Sequence, residues 1–508
     1  MLDIPLSVPI FMPLAVGLLT ILLPGRLARF LLLLATVGVL AYAVLMIYDF
    51  DARQPGYHYV TDVSWIEELG IRYTVGIDGL NLFLFGLTAI VWVGAVLAAA
   101  LRTWERPRLF YFHMGLAETA VLGAFCAQDL ALFVLFFDLM LVPFYFLVGS
   151  WGEGPNRVAA TTKLIIYTLV GSLLMLAAAV ALGVTATPEG EALSFSLTEL
   201  GGQRTVPAEA QGWIFLLFAL AFLVKAPAFP VHGWMPDAYR AAPLPVLVPL
   251  SAVVSKVGVY GFLRIVLPLL PDAAARYQDL ILGVAVVSIL YGSVLAFSQD
   301  NLRLVAGYSS IAQLGFITLG IFAFDPKGAQ GALLQMVTHG LVVAPLFLVI
   351  GIVAARSQGS ESLRELGGMA FRAPVLAALF LLIALATLAM PGSPNFVGEL
   401  LILFGVLETK IVFGVLASVG VALASVYMIR MFQRTMHNRV GPKVQSSELS
   451  LGDFVAVAPL VAVVVALGVY PQFILGRTGP DTVAKVRAPA QIVALEEARE
   501  ARAEGVAR

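Results

Sequence analysis

Two lysines lie deep inside long apolar segments, where an ammonium ion finds few partners. Lys225 and Lys256 both interrupt the predominantly apolar stretch 214–268. Lys256 is about a dozen residues from the flanking prolines Pro243 and Pro268, so at ~1.5 Å of rise per residue it lies nearly 20 Å from either end of the segment. A lysine stem cannot snorkel that far. Charged residues at this depth usually face a bundle interior or a wet cavity and mark ion or proton pathways, so we expect Lys256 to be a proton relay.

Lys225 is expected to pair with a carboxylate beside a broken helix. It lies two residues before Pro227 and five before Pro230, and each proline removes a backbone donor and frees a carbonyl one turn back. Broken helices at membrane depth are tolerated where they line protein or water. Asp138 also lies mid-segment, with Pro143 five residues on. We predict a functional Asp138–Lys225 pair, and the alternative is a structural ion pair that only fixes helix packing.

Four more titratable residues lie in or beside apolar segments. Glu399 follows a second Pro/Gly interruption, residues 390–396, and is predicted to be a relay or exit site, against a helix-start carboxylate that interacts with the helix dipole. His339 can titrate near physiological pH, although a lone histidine on an apolar helix often only packs. His232, at the end of the broken seventh helix, and Glu118 are secondary candidates.

Composition restricts the class of protein. Of 508 residues, 60% are hydrophobic and 12% charged, about half the charge of a soluble protein, so the chain is a polytopic membrane protein. A single cysteine, Cys126, excludes a disulfide framework, and the five histidines lack the spacing of a metal site. The net charge of −1 argues against a nucleic-acid partner. The sequence has no Gly-rich phosphate loop, metal constellation or nucleophile elbow, so the buried titratable groups predict proton translocation.

Apolar windows of ~20 residues predict an all-α protein with fourteen transmembrane spans. The first is interpreted as a span and not a signal peptide, because Asp3 precedes it and Arg26 and Arg29 follow it. The twelfth is interpreted as one span broken at 390–396. The windows are 6–24, 29–48, 77–101, 109–127, 130–150, 162–185, 212–231, 243–269, 277–297, 303–324, 329–355, 373–407, 409–432 and 452–475.

Loop charges and the two interruptions predict the orientation and the domains. Up to residue 475, alternate loops hold sixteen Lys and Arg against six in the others, which puts the basic loops in the cytoplasm of a bacterium and the N-terminus outside its plasma membrane. Breaks in the seventh and twelfth spans predict two inverted repeats of five helices. The polar tail after 476 is expected to be a short surface helix or disordered. The predicted units are 1–108 (spans one to three), 109–270 (first repeat, spans four to eight), 271–435 (second repeat, spans nine to thirteen) and 436–508 (span fourteen and tail).

The stretch VKAPAFPVHGWMPDAYRAAPLPVLVPLSAVVSKVGVYGFLR resembles a long signature of one membrane family. That family is the antiporter-like membrane subunits of respiratory complex I, the proton-translocating NADH–quinone oxidoreductase. Subunits of Mrp-type cation/proton antiporters share the signature in part. The resemblance is strongest to the M type, because Glu399 occupies a position where the L and N types carry lysine, and because no long lateral helix follows span fourteen. Further matches are NRVAATTKLIIYTLVGSLLML, DNLRLVAGYSSIAQLGF, QMVTHGLVVAPLFLVIG and MPGSPNFVGELLILFG.

The resemblance implies a role for each buried group. It implies a carboxylate–lysine pair at Asp138 and Lys225, a central relay lysine at Lys256, a family histidine at His339 and an exit-side carboxylate at Glu399. It also implies that this chain binds no cofactor: NADH, FMN, Fe–S clusters and quinone bind partner subunits, with L- and N-type subunits as neighbours. The sequence departs from the family at Asp138, usually Glu, at Tyr239, usually His, and at Ser-Pro-Asn in the second break, usually Thr-Ser-Gly.

Three functions remain open from the residues and the resemblance. The first is a proton-translocating subunit of the complex I membrane arm, coupled to electron transfer in other subunits. The second is a subunit of a multi-subunit Na⁺/H⁺ antiporter of the Mrp type. The third is a membrane scaffold whose buried ion pairs carry no protons.

Overall fold

Helices dominate the computed structural model, which describes residues 4–54, 56–202, 204–445 and 447–506, with side chains of the last helix described through Arg499. Within those ranges, twelve helices are long and apolar enough to cross a membrane. Two shorter apolar helices, Ser7–Leu22 and Pro374–Thr387, occupy the first predicted window and the start of the twelfth. The all-α polytopic membrane class is therefore confirmed, while the count of fourteen spans and the inverted repeats stay predictions.

We number the apolar helices as first to fourteenth spans in chain order. The fifth consists of Leu130–Leu139 and Leu141–Trp151, and the twelfth of Pro374–Thr387 and Pro394–Thr409. The others are Ser7–Leu22, Gly25–Asp49, Leu82–Ala100, Pro107–Cys126, Arg157–Ala186, Ala208–Lys225, Leu244–Leu269, Gln278–Ser298, Leu302–Phe322, Pro326–Ala355, Ile411–Met436 and Leu451–Val469. Shorter helices are Glu67–Leu69, Leu197–Leu200, Met235–Ala241, Pro271–Arg276 and Met369–Phe371, and a long last helix is Gln472–Val506.

The seventh span breaks where its prolines predict. Its helix ends at Lys225, and helical structure resumes only at Met235–Ala241. The indole Nε1 of Trp234 donates to the Val224 carbonyl over 2.9 Å, and the Phe229 N–H donates to Ser288 Oγ over 3.0 Å. Backbone groups freed by the break are thus paired with protein, as an unwound segment at membrane depth requires.

The twelfth span breaks at the second predicted position. Its first helix ends at Thr387, and the second begins at Pro394, where the Ser393 hydroxyl accepts the Phe396 N–H over 3.4 Å. This is an N-cap of the ordinary kind. Gly392, in the break, has a φ of 94°, which glycine adopts without steric cost.

The eighth span is irregular around Lys256. Two π-helical segments, Leu250–Val254 and Phe262–Val266, flank the α-helical turn Ser255–Gly261. The whole of its most apolar window is buried inside the bundle, as is that of the eleventh span. π-Helical segments are frequent at functional sites because they redirect side chains. The eighth and eleventh spans are therefore central helices that lipid does not reach.

A β-hairpin and the last helix lie at one end of the bundle. Strands β1 (His58–Ile66) and β2 (Ile71–Ile77) are antiparallel, and the turn between them ends at Gly70 with a φ of 65°. The Gly79 N–H donates to the Asp481 carboxylate of the last helix over 2.7 Å. We call this end the hairpin face, and the opposite end, with the arginine-rich loops, the basic face.

The prediction for the tail was wrong, because the tail is neither short nor disordered. Residues Gln472–Val506 form a helix of 35 residues, not a short surface helix or a disordered segment. Ile474, Thr478, Thr482 and Val486 are spaced by four and almost completely buried, so they form one stripe against the bundle. The rest of the helix is rich in Ala, Glu and Arg, so the mean hydropathy of the segment is low and does not reveal this stripe.

Candidate functional site

Lys225 and Asp138 lie close together without a direct contact. Lys225 is the last residue of its helix and is 4% exposed, and its Nζ lies 4.5 Å from the ring centroid of Phe137, a cation–π contact. Asp138 and Lys225 interact electrostatically. Within the described ranges, however, no ion pair joins them, and Asp138 Oδ1 has no hydrogen-bond partner. The pair is therefore open in this structure, as the shorter aspartate side chain allows.

Lys256 is held by neutral oxygen atoms. Its side chain is fully buried, and Nζ donates to the Ser251 carbonyl over 2.9 Å and to Ser255 Oγ over 3.5 Å. No carboxylate pairs with it in the part of the chain that the structure describes. A structural lysine in an apolar interior needs a counter-ion, so this arrangement favours a group that gives up and regains its proton.

His339 of the eleventh span lies next to Lys256. Its imidazole is fully buried and close enough to interact electrostatically with the lysine. Neither ring nitrogen has a hydrogen-bond partner among the described atoms. The neighbouring Gly340 packs on the Ala252 carbonyl of the eighth span, where a Cβ would come within 2.7 Å. An unpaired buried imidazole beside a buried amine can accept a proton from it.

Glu399 is oriented by two glutamines that the sequence analysis missed. Gln313 Nε2 donates to Glu399 Oε1 over 2.7 Å, and Gln335 Nε2 donates to Gln313 Oε1 over 2.6 Å. The second carboxylate oxygen is free of partners among the described residues, as are both side-chain polar atoms of Asn395 one turn earlier. A glutamine or asparagine inside an otherwise apolar span was the available signal, since buried amides need partners.

The two secondary candidates lie apart from this group. Glu118 is fully buried in the fourth span, and neither of its oxygens has a partner among the described atoms. His232 lies in the first break, 5.0 Å from the Tyr291 ring. Lys163 interacts with it electrostatically and pairs with Asp237 over 2.8 Å. His232 therefore lies on the side of the break that is nearer the basic face.

The candidates of spans five, seven, eight and eleven form two pairs. Asp138 interacts electrostatically with Lys225, and Lys256 with His339. Glu399 forms a separate cluster with the glutamines of spans ten and eleven. The eleventh span contributes to this cluster and to the Lys256–His339 pair, because Gln335 and His339 are one turn apart on it.

Comparisons with known proteins identify the family of the chain. Residues 127–424 match the family described as "NADH:quinone oxidoreductase/Mrp antiporter, TM". The chain is 32% identical over 488 residues to NADH-quinone oxidoreductase subunit M of Rickettsia bellii, covering 94% of this chain and 97% of that protein. It is 34% identical over 494 residues to the subunit M of Rhodobacter capsulatus, covering 94% and 95%.

Two solved structures have a similar fold. A chain of respiratory complex I from Thermus thermophilus with bound NADH superposes with a TM-score of 0.87 at 29% identity, covering 95% of this chain and 99% of that one. A chain of the Mrp complex from Dietzia sp. superposes with a TM-score of 0.83 at 22% identity, covering 96% and 99%. At that identity, the second comparison shows the fold alone.

Proposed function

Because the chain belongs to the family of membrane subunits shared by NADH:quinone oxidoreductases and Mrp antiporters, we propose that it is an M-type, proton-translocating subunit of an NADH–quinone oxidoreductase. The observation that carries the proposal is the fully buried Lys256 ammonium, which is bound to neutral oxygens and lies beside the unpaired His339. Relatives at 32% and 34% identity that are named subunit M support the choice of complex.

The proposed relay begins at the open Asp138–Lys225 pair. Closing or opening that pair changes the field at Lys256, and hence its affinity for a proton. Lys256 then passes its proton toward His339 and on to Glu399. The driving force is electron transfer in partner subunits, which would hold NADH, FMN, the Fe–S clusters and quinone.

Partners and orientation form part of the same proposal. The L- and N-type subunits of the membrane arm are the proposed neighbours in a bacterial plasma membrane. The hairpin face would lie outside and the basic face in the cytoplasm, as the excess of arginine in alternate loops supports. Four units, 1–108, 109–270, 271–435 and 436–508, remain the proposed organisation of the chain.

Substitution of the relay groups tests the function. In vesicles that contain the assembled complex, Lys256→Ala and Glu399→Gln should each reduce NADH-driven proton uptake by about tenfold or more. NADH oxidation by an artificial acceptor should be unchanged, because no relay group lies in the electron path. Lys443→Ala is the matched control, since Lys443 is an exposed lysine paired with Glu365 over 3.0 Å. Full proton pumping in both relay variants would instead support the scaffold function.

The second candidate function is a subunit of an Mrp-type Na⁺/H⁺ antiporter. The matching family description, which names Mrp antiporters beside NADH:quinone oxidoreductases, favours it, because the same buried groups can serve either complex. Deleting the chain distinguishes the two. Loss of NADH–quinone reductase assembly supports the complex I subunit, whereas loss of growth in sodium at high pH with the reductase intact supports the antiporter.

A further inference from the structure

The eighth span carries a second buried cation, Arg264, eight residues after Lys256. At ~1.5 Å per residue the two are about 12 Å apart along the helix, and Arg264 lies toward the hairpin face. Its guanidinium is 1% exposed and binds both Asp78 oxygens over 2.6 Å. Lys256, Tyr260 and Arg264 are spaced by four, so they share one side of the helix.

The polar groups of this cluster form hydrogen bonds with partners other than Lys256. Arg264 Nε donates to the Tyr260 hydroxyl over 2.7 Å, and that hydroxyl donates to the Phe125 carbonyl over 2.9 Å. Tyr260 therefore already accepts a hydrogen bond from Arg264, and it donates its own hydrogen to Phe125 and not to Lys256. Asp78 is held by two guanidinium bonds and also accepts the Leu80 N–H over 3.0 Å.

The guanidinium of Arg264 is itself a barrier to proton transfer. A guanidinium does not give up its proton in proteins, so it cannot take part in a proton relay. Fixed arginines in channels likewise keep protons out. The Lys256 ammonium, in contrast, points back toward the Ser251 carbonyl and away from Arg264.

We propose that Asp78, Tyr260 and Arg264 form a proton seal that closes the direct route from Lys256 to the hairpin face. A proton on Lys256 must then leave sideways, toward His339 and the eleventh span. This inference rests on the proposed relay function of Lys256, and it assigns to Arg264 a role outside the relay itself.

The need for a seal follows from what lies beyond Arg264. Asp481 and Lys485 of the last helix are only half-buried, and both interact electrostatically with Asp78 and Arg264. Burial lowers the pKa of Lys485 and raises the pKa of Asp481, so both can exchange protons more readily near neutral pH than an exposed lysine or aspartate. Among the described residues, Asp78, Tyr260 and Arg264 lie between Lys256 and these exchangeable groups, and the Tyr57 ring packs on Arg264.

Passive proton flow through the assembled complex tests the seal. The complex is reconstituted into liposomes that contain a pH-sensitive dye, and a potassium diffusion potential drives protons without NADH. The double variant Asp78→Asn/Arg264→Gln removes both charges together, because breaking a buried pair by halves is strongly destabilising. We expect its leak to be about tenfold or more above the natural protein. Adding Lys256→Ala should return the leak to the natural level.

The dependence on Lys256 separates the seal from general damage. A matched control removes another buried ion pair, at the basic face, with Arg303→Gln/Glu361→Gln; these two side chains bond over 2.6 Å. If this control variant leaks at all, adding Lys256→Ala should not abolish its leak. An assembled Asp78→Asn/Arg264→Gln complex without a leak would overturn the seal, as would a leak that persists after Lys256→Ala.

If the double variant does not assemble, a milder substitution still tests the seal. Arg264→Lys keeps the pair of charges with Asp78 but replaces the guanidinium by an ammonium that can release its proton. A smaller leak that also requires Lys256 is expected, and a proton-tight Arg264→Lys complex would overturn the proposal. The outcome is independent of pumping: Lys256→Ala alone, assayed with NADH, tests the relay function, whereas the passive leak tests the seal.

Discussion

The eighth span holds two buried cations in opposite ways. Lys256 bonds only to neutral oxygens, whereas Arg264 is bound through a carboxylate, a hydroxyl and their backbone partners. The difference in partners decides what each residue can do. A lysine without a counter-ion is poised to lose its proton, and an arginine with a bidentate partner stays charged and fixed. One helix thus provides both a relay group and a barrier.

The open Asp138–Lys225 pair predicts the effect of lengthening the carboxylate side chain by one methylene. Asp138→Glu moves the carboxylate toward Lys225 by about one carbon–carbon bond, which should close the pair. We expect NADH-driven pumping within about twofold of the natural rate, since the charge is kept. Asp138→Asn, the matched variant without charge, should lose most of the pumping. Equal rates in the two variants would remove Asp138 from the relay.

The glutamine chain gives a second prediction at this scale. Gln313→Leu leaves Glu399 Oε1 without its donor and Gln335 Nε2 without its acceptor. Loss of a hydrogen bond to a charged group costs about 1.5–3 kcal/mol, so pumping should fall by about tenfold at unchanged assembly. Gln472→Leu, at an exposed glutamine of the last helix, is the control. Normal pumping in Gln313→Leu would show that Glu399 needs no such orientation.

At the scale of the elements, the two broken helices determine where the buried groups lie. Lys225 ends the helix before the first break, and Glu399 lies in the second turn of the helix after the second break. Both breaks are closed by pairing of backbone groups with Trp234 and Ser288 at one and with Ser393 at the other. Such pairing keeps unwound backbone stable at membrane depth, so the breaks are fixed features of the fold.

Close packing of the eleventh and twelfth spans can be tested with one methyl group. At Gly398 a Cβ would overlap the Gln335 side-chain oxygen, so Gly398→Ala forces that side chain to move. We expect a loss of about 1–3 kcal/mol from overpacking, seen as a lower melting temperature of the purified complex, together with weaker pumping.

The control for this substitution is another helical glycine. Gly283 has no atom within 4 Å of an added Cβ, and Gly→Ala in a helix interior gains up to ~1 kcal/mol. Gly283→Ala should therefore leave melting and pumping unchanged or slightly raise the melting temperature. If both glycine variants behave alike, the packing at Gly398 does not position Gln335.

At the scale of the whole molecule, the last helix joins the hairpin face to the central helices. Its buried stripe from Ile474 to Val486 packs on the bundle, and Asp481 accepts the Gly79 N–H next to Asp78. The helix therefore covers the cluster formed by Asp78 and Arg264. Its position links the ends of the third and eighth spans, which are far apart in the chain.

Removal of this link should loosen the hairpin face locally. Asp481→Ala deletes the acceptor of the Gly79 N–H, so we expect faster hydrogen exchange in residues 76–82 and 472–490 of the assembled complex, measured by mass spectrometry. Local opening of this kind follows from the loss of backbone protection. Arg487→Ala, at an exposed residue of the same helix, should exchange like the natural protein. Unchanged exchange in Asp481→Ala would mean that the apolar stripe alone holds the helix.

Local patterns in the sequence were sufficient to predict the membrane class, the two breaks and the burial of the charged groups. These follow from properties that are local along the chain: twenty apolar residues span a bilayer, proline ends a helix, and a charge far from both ends of an apolar run is buried. Lys225, Lys256, His339 and Glu399 were all found in this way.

Which buried groups contact one another depends on how the helices pack. Asp78 and Arg264 are 186 residues apart, and Gln313 and Glu399 are 86 residues apart. The gap between Asp138 and Lys225 likewise depends on this packing. The apolar stripe of the last helix lies in a segment whose mean hydropathy is low. Hydropathy and helix signals act over one turn or one span, whereas a hydrogen bond or an ion pair depends on two distant segments meeting, and that is settled by how the helices pack.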